Sequence, residues 1–179
     1  MSLGSLVAEP AARRPDLLAA PTAAALGALP AAERDAIAVA EIDPALADTA
    51  AFCERYGVRL DQSANCVVLA ARREGRSWFA ACVVLATTRA DVNGVVKKIL
   101  GASKLSFAAM DDAVRATTME YGGITPLGLP PEWPLLIDER VAAAGDVVIG
   151  SGVRRSKLVL PGALLAQLPG AQVLAIAIG

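Results

Sequence analysis

Apolar residues along this chain follow two spacings, and turn signals divide them into a series of short elements. Residues 37–42 alternate apolar and small side chains and end at Asp43-Pro44, which predicts a first strand. Residues 49–56 predict a helix closed by Gly57. Two apolar runs, 66–71 and 78–86, flank the polar stretch 72–76, which is the pattern of a hairpin. The clearest helix begins at Asp91 as N-cap and places Val92, Val95, Val96, Ile99 and Leu100 at the spacing of one buried face, with Gly101 as its stop.

Around this middle the signals are shorter. Residues 2–29 are rich in Ala, Pro and Leu, and Pro21-Thr22 ahead of an alanine run predicts a short helix after a loose lead-in. A short helix over 110–115 precedes a glycine loop at 121–130. Beyond it, 135–137 and 147–149 read as strands, Gly150-Ser151-Gly152 as a sharp turn, 157–160 as a strand, 162–168 as a helix and 173–178 as a last strand. Strands and helices interleave irregularly around at least one hairpin, so the expected class is α+β with a mixed sheet.

Composition narrows the chemistry. A length of 179 residues suits one domain, here 31–179, with 1–30 as its N-terminal lead-in and Met1 to Ser5 as a cloning remnant. The longest apolar run, 78–86, is half of what a membrane-spanning helix needs, and the N-terminus lacks a secretory pattern, so a soluble cytoplasmic protein is expected. Cys53, Cys66 and Cys82 form no Cys-x-x-Cys pair and read as small buried thiols in a reducing compartment. The chain has no histidine, which removes Ser-His-Asp and Cys-His catalysis, His-bound zinc and the usual base near neutral pH. A net charge of −1 argues against a broad non-specific nucleic-acid surface while leaving local clusters open.

Chemistry concentrates in the loop Gly122-Gly123-Ile124-Thr125-Pro126, where residues that permit unusual backbone angles stand beside one that locks them. Such a loop can hold amides outward for a carbonyl or oxyanion, although a lone Gly-Gly also reads as a surface turn.

From Asn65 onward the chain resembles the YbaK and prolyl-tRNA-synthetase-associated deacylase family. The resemblance rests on D-V-N-G-V-V-K-K-I-L-G-A-S-K-L-S-F-A from Asp91, A-T-T-M-E-Y-G-G-I-T-P-L-G from Ala116, P-L-L-I-D-E-R-V from Pro134 and G-S-G-V-R-R-S-K-L from Gly150. It implies a barrel-like mixed sheet with surrounding helices, and a pocket that receives the aminoacyl group at the 3′ acceptor end of tRNA. It implies hydrolysis of mischarged tRNA without metal or other cofactor, with Gly122 and Gly123 near the ester carbonyl. Ile124, Thr125 and Pro126 complete that wall, and Ser151 and Gly152 form a facing turn. Asp138 matches an aspartate of the pattern and reads equally as a helix cap.

The chain departs from the pattern at one position. Many relatives begin the strand at 64–69 with a lysine that points into the pocket, and here Asn65 stands in its place; the four lysines, Lys97, Lys98, Lys104 and Lys157, all lie elsewhere. Asparagine can bond a carbonyl or hydroxyl but carries no charge, so a catalytically impaired binding module of the same fold, recognising tRNA ends or an amino-acid-like ligand, is the competing expectation. Asn65 also reads as a polar residue satisfied at a strand start. Arg154 and Arg155 are the leading candidates for acceptor-stem phosphates, and every basic cluster also reads as ordinary surface. Trp78 reads as core, and Trp133, among prolines, as a rigid lid beside the pocket.

Overall fold

The computed structural model describes residues 3–179. The longest strands arise from the predicted hairpin, β3 (Ala64–Arg73) and β4 (Arg76–Leu85), paired from Ala64↔Leu85 to Arg73↔Arg76. Its turn is only Glu74-Gly75, both left-handed at φ 51° and 77°, so the ladder runs through the arginines expected in a loop. This pair of positive angles is the hairpin turn whose twist matches that of the strands.

The hairpin sits in a five-stranded sheet of order β10 (Ala171–Leu174), β7 (Leu135–Asp138), β4, β3, β6 (Lys104–Phe107). Strands β10, β7 and β4 are parallel, and β4, β3 and β6 antiparallel. A four-stranded antiparallel sheet has the order β1 (Ala8–Pro10), β2 (Ala38–Glu41), β9 (Ser156–Pro161), β8 (Asp146–Gly150). A third pairs β5 (Arg89–Ala90) with β11 (Ala177–Ile178). The class is mixed α+β, as the interleaved pattern predicts.

The sheets do not close into the barrel that the resemblance implies. Closure needs a continuous ladder around the ring. Here β1, β8, β10 and β6 remain edges, and β3 approaches β8 through an isolated bridge of Ser63 to Val148. Val39, Ile149, Leu158 and Leu160 of one sheet share a core with Val83, Leu85, Leu135 and Ile137 of the other.

Helix α1 (Ala20–Ala28) adds Leu26 to that core, which also takes Leu17 and Leu18. The N-terminal lead-in is therefore packed, and β1 within it extends a sheet. Leu3 is buried and the Ser5 amide donates to the Tyr56 carbonyl, so this stretch is structural; Met1 and Ser2 of the expected remnant lie outside the described residues. Short helix α2 (Ala31–Asp35) leads into β2. Helix α3 (Thr49–Tyr56), ended by left-handed Gly57, covers the outer face of the four-stranded sheet by burying Phe52 against Ala40, Val148 and Val159.

The helix at Asp91 starts as expected, with the carboxylate accepting from the Gly94 and Val95 amides at 3.0 and 2.9 Å. Its first turn is wide, because the Val96 amide reaches back five residues to the Asp91 carbonyl, and only α4 (Lys97–Ile99) is α-helical. Each residue of a wide turn advances by a smaller angle. Val92 and Val96 are buried in consequence, while Val95 and Ile99 are 39% and 38% exposed. Helix α5 (Met110–Thr117) precedes the glycine loop, and α6 (Glu139–Ala143) and α7 (Gly162–Leu165) follow β7 and β9. The expected last strand splits into β10 and β11 because it passes from one sheet to another. No helix of the described residues is long and apolar enough to cross a membrane.

Glu74 holds a left-handed angle that favours asparagine. Glu74→Asn is expected to stabilise the protein by about 0.5–1 kcal/mol, seen as a higher urea midpoint at unchanged slope, since the exposed Arg73–Glu74 pair it removes contributes little.

Candidate active site

A cavity of about 410 Å³ opens where the two large sheets diverge beyond the Ser63–Val148 bridge. Strand β3 walls one side from Ala64 to Val68, and Val148, Ile149 and Gly150 of β8 wall another. Asp48 and Thr49 at the start of α3, Phe107 and Ala108 after β6, Ala113 of α5, and Tyr121, Gly122 and Ile124 complete it.

The pleat of β3 aims backbone groups at this space. The Val68 carbonyl accepts from Ala108 at 3.0 Å and that of Arg72 from Ser103 at 2.9 Å, both away from β4. Alternate residues of an antiparallel strand share this direction. Cys66, two residues before Val68, therefore turns its amide and carbonyl to the same edge, where β6 has ended and the cavity begins.

Asn65 is half-buried on the cavity wall, its Oδ1 accepting from Thr49 Oγ1 at 2.8 Å. Its side-chain NH2 makes no hydrogen bond among the described residues.

The cavity also holds a lysine. Lys157 of β9 is 8% exposed, donates from Nζ to the Ala47 carbonyl at 2.8 Å, and lies 5.3 Å over the Phe52 ring. Burial draws its ammonium down to about 8 from the ordinary 10.5; Arg154 adds to that shift, while Asp48 and Cys53 oppose it. Keeping the charged form there costs on the order of 3 kcal/mol. In the sequence Lys157 stands beside Arg154 and Arg155, in a basic cluster that also reads as ordinary surface. The run S-K-L-V-L hints at burial, but only the topology, with strands on both sides and α3 over the face, denies Lys157 a solvent face.

The glycine loop and the facing turn do come together, as a zipped pair. Gly152 donates to the Gly123 carbonyl at 2.7 Å, Glu120 to the Gly152 carbonyl at 2.8 Å, and a side chain at Gly150 would run into the Gly123 carbonyl. Gly122, at φ 83°, and Ile124 reach the cavity. The Gly123 amide does not point there, because it donates to the Glu120 carbonyl at 2.9 Å within its own turn. Thr125 is fully buried away from the lining, and Pro126 lines a second, apolar cavity of about 230 Å³.

Ser151 is likewise turned inward. Its hydroxyl meets the Ser156 hydroxyl at 2.7 Å and the Val153 and Ser156 carbonyls, so it braces the β8–β9 turn. Gly152, at φ 87°, lies against Ala19 and Thr22. Asp138 lies outside the cavity lining: its carboxylate caps α6 through the Arg140 amide and accepts from Ile176 and Ala177 at 3.1 and 2.9 Å. Trp133 is not a lid, since it is buried with Val68 and Ala113 and its ring sits 5.1 Å from Phe79, behind the cavity wall.

Arg154 works at the rim. It donates to the Pro44 and Tyr121 carbonyls at 3.2 Å, approaches Asp48 at 3.5 Å, and donates its backbone amide to Glu120 Oε2 at 2.6 Å. Arg155 is exposed and bonds the Asp16 carbonyl. Burial raises the Cys53, Cys66 and Cys82 thiols, Cys82 to about 12, which keeps them protonated. Among the described residues there is no group of three or more His, Cys, Asp or Glu placed to hold a metal ion.

The family model of the aminoacyl-tRNA editing domain matches residues 43–168, a span that holds the cavity, the glycine loop and the β8–β9 turn. The chain belongs to the aminoacyl-tRNA editing domain family. Its fold is similar to that of a candidate trans-editing enzyme for prolyl-tRNA synthetase, at TM-score 0.73 and 22% identity over 90% of this chain and 99% of that one. It is also similar to the hypothetical protein APE2540, at 0.69 and 21% over 78% and 90%. A candidate signal transduction protein from Marinobacter aquaeolei VT8 shares the fold at 0.58 and 17%, over 96% of this chain and 31% of that one. No curated protein matches the chain.

Two outcomes test these placements. Asp138→Ala leaves buried amides at Ile176 and Ala177 without an acceptor and is expected to cost about 2–4 kcal/mol in urea unfolding. Lys157 makes stability depend on pH with a fixed sign. Between about 8 and 10.5 the unfolded lysine keeps a proton that the native one has released, so native stability rises with pH in that window. Relative to Lys157→Met, the native protein is expected to gain about 3 kcal/mol from pH 7 to 10.5, read from paired denaturation curves.

Proposed function

We propose that the chain is a trans-acting aminoacyl-tRNA deacylase, a cytoplasmic protein whose residues 31–179 form one editing domain with 1–30 as its lead-in. The observation that supports this is the cavity itself. Within an editing-domain chain it gathers Asn65, the Gly122 and Ile124 wall and Lys157 around one space of about 410 Å³.

The aminoacyl end of a tRNA enters past Tyr121 and Phe107, which are 56% and 67% exposed at the cavity. Asn65 NH2 and the edge amide of Cys66 face the acyl group. Water adds to the ester carbon, and its proton passes through the neighbouring ribose hydroxyl to the departing ribose oxygen, leaving a free amino acid and an uncharged tRNA. That route suits a chain without histidine, because the substrate supplies the proton relay. Arg155, exposed and next in the chain to the rim residue Arg154, is the proposed contact for an acceptor-stem phosphate, whereas Arg154 is engaged in holding the rim together.

The uncharged Asn65 favours a second reading, a module that binds an aminoacyl end without cleaving it. A panel of mischarged tRNAs separates the two. The deacylase reading expects at least one amino acid to be released about tenfold or more faster than in buffer; flat decay across the panel with retained binding of the charged tRNA supports the binder.

A further inference from the structure

Lys157 is buried in a central strand, and packing accounts for its stem but not for its charge. Its ladder neighbours are Ala40 on β2 and Gly150 on β8, so small residues on both sides leave a channel that the lysine stem fills on its way to the cavity beneath α3. An ammonium has three N–H donors, and here one goes to the Ala47 carbonyl while no carboxylate among the described residues comes within salt-bridge distance. Burying a charge without a counter-charge is unfavourable unless something else uses it. A methionine would fill the same channel without that cost.

We propose that Lys157 is the oxyanion-binding residue of the cavity, donating from its free N–H groups to the ester carbonyl oxygen of an aminoacyl-tRNA. The assignment rests on the deacylase reading above. As water adds to the carbonyl carbon, the C=O electron pair moves onto oxygen, and the Lys157 ammonium holds that charge without giving up its proton. When the pair returns, the bond from carbon to the ribose oxygen breaks and the ribose oxygen takes the proton released by the water. An oxygen held between the β9 lysine and the β3 edge is stabilised far more strongly once charge develops on it, so the interaction acts on turnover more than on binding.

The groups facing Nζ set its behaviour with pH. Asp48 and Cys53 approach from α3 and its cap, Arg154 from the β8–β9 turn, and the Phe52 ring from below. With Asp48 shared with Arg154, the lysine is charged at neutral pH and loses its proton above about 8.

The test uses the amino acid that the native protein releases fastest from the panel. Lys157→Met is expected to lower kcat about a hundredfold with KM within about threefold, while melting at or above the native temperature. The native rate, corrected for buffer hydrolysis, is expected to bend downward above about pH 8, a bend absent from the variant. A well-folded variant with native kcat overturns the assignment and leaves the deacylase reading standing. A native rate that climbs through pH 8 also overturns it, with no variant needed, since it marks a neutral amine acting as a base. A native protein that releases nothing from any tRNA overturns both.

Discussion

The separation of β3 from β8 is the constraint on which the site depends. Beyond the Ser63–Val148 bridge the two strands part, and with β6 ending at Phe107 the first residues of β3 keep a free edge. A free edge is normally a liability, because it presents unpaired backbone groups. Here the glycine loop, α3 and α5 enclose it, and the enclosed space is the cavity. Had the sheets closed into a barrel, the Cys66 amide and carbonyl would be spent on a neighbouring strand.

Enclosure of that edge explains why the glycines are where they are. Gly123 and Gly150 let two loops touch backbone to backbone, and each has a carbonyl in the space its Cβ would take. The hydrogen bonds joining Gly152 to Gly123 and Glu120 to Gly152 then fix the loop as one wall. The loop is rigid because its amides are used internally, which is also why the Gly123 amide does not face the cavity. Rigid walls with open donors come instead from β3 and β9.

How much of this was legible in the sequence follows the range of the interactions. The hairpin, α3 with its Gly57 stop and the Asp91 cap are set by neighbours in the chain, and all were readable there. The wide turn after Asp91 was not, since the same valine spacing serves either turn until packing chooses. The glycine loop could be recognised as a wall by its composition, but which amides it spends is decided by Glu120 and the distant β8–β9 turn. Asp138 reads in the sequence as a pattern aspartate or a helix cap, and it does cap α6, while Ser151 reads as part of a facing turn; their distant partners, Ile176 and Ala177 for one and Ser156 for the other, are visible only in the tertiary structure.

Lys157 is the residue where local reading fails most. Beside Arg154 and Arg155 it looks like one more surface cation, yet Arg155 is exposed ahead of β9, whereas Lys157 lies inside the strand on the face that α3 covers with Phe52. The cavity thus has one lysine after all, on β9 rather than at the Asn65 position on β3 where the resemblance expects it. The two arrangements oppose one another on electrostatic grounds. Arg154 already lowers the proton affinity of Lys157, and a second ammonium at position 65 in the same space would lower it further by like-charge repulsion. Asparagine at 65, held by Thr49, keeps a donor on that wall without competing for the charge. A neutral Asn65 thus spares Lys157 a second like charge on the wall of the same cavity.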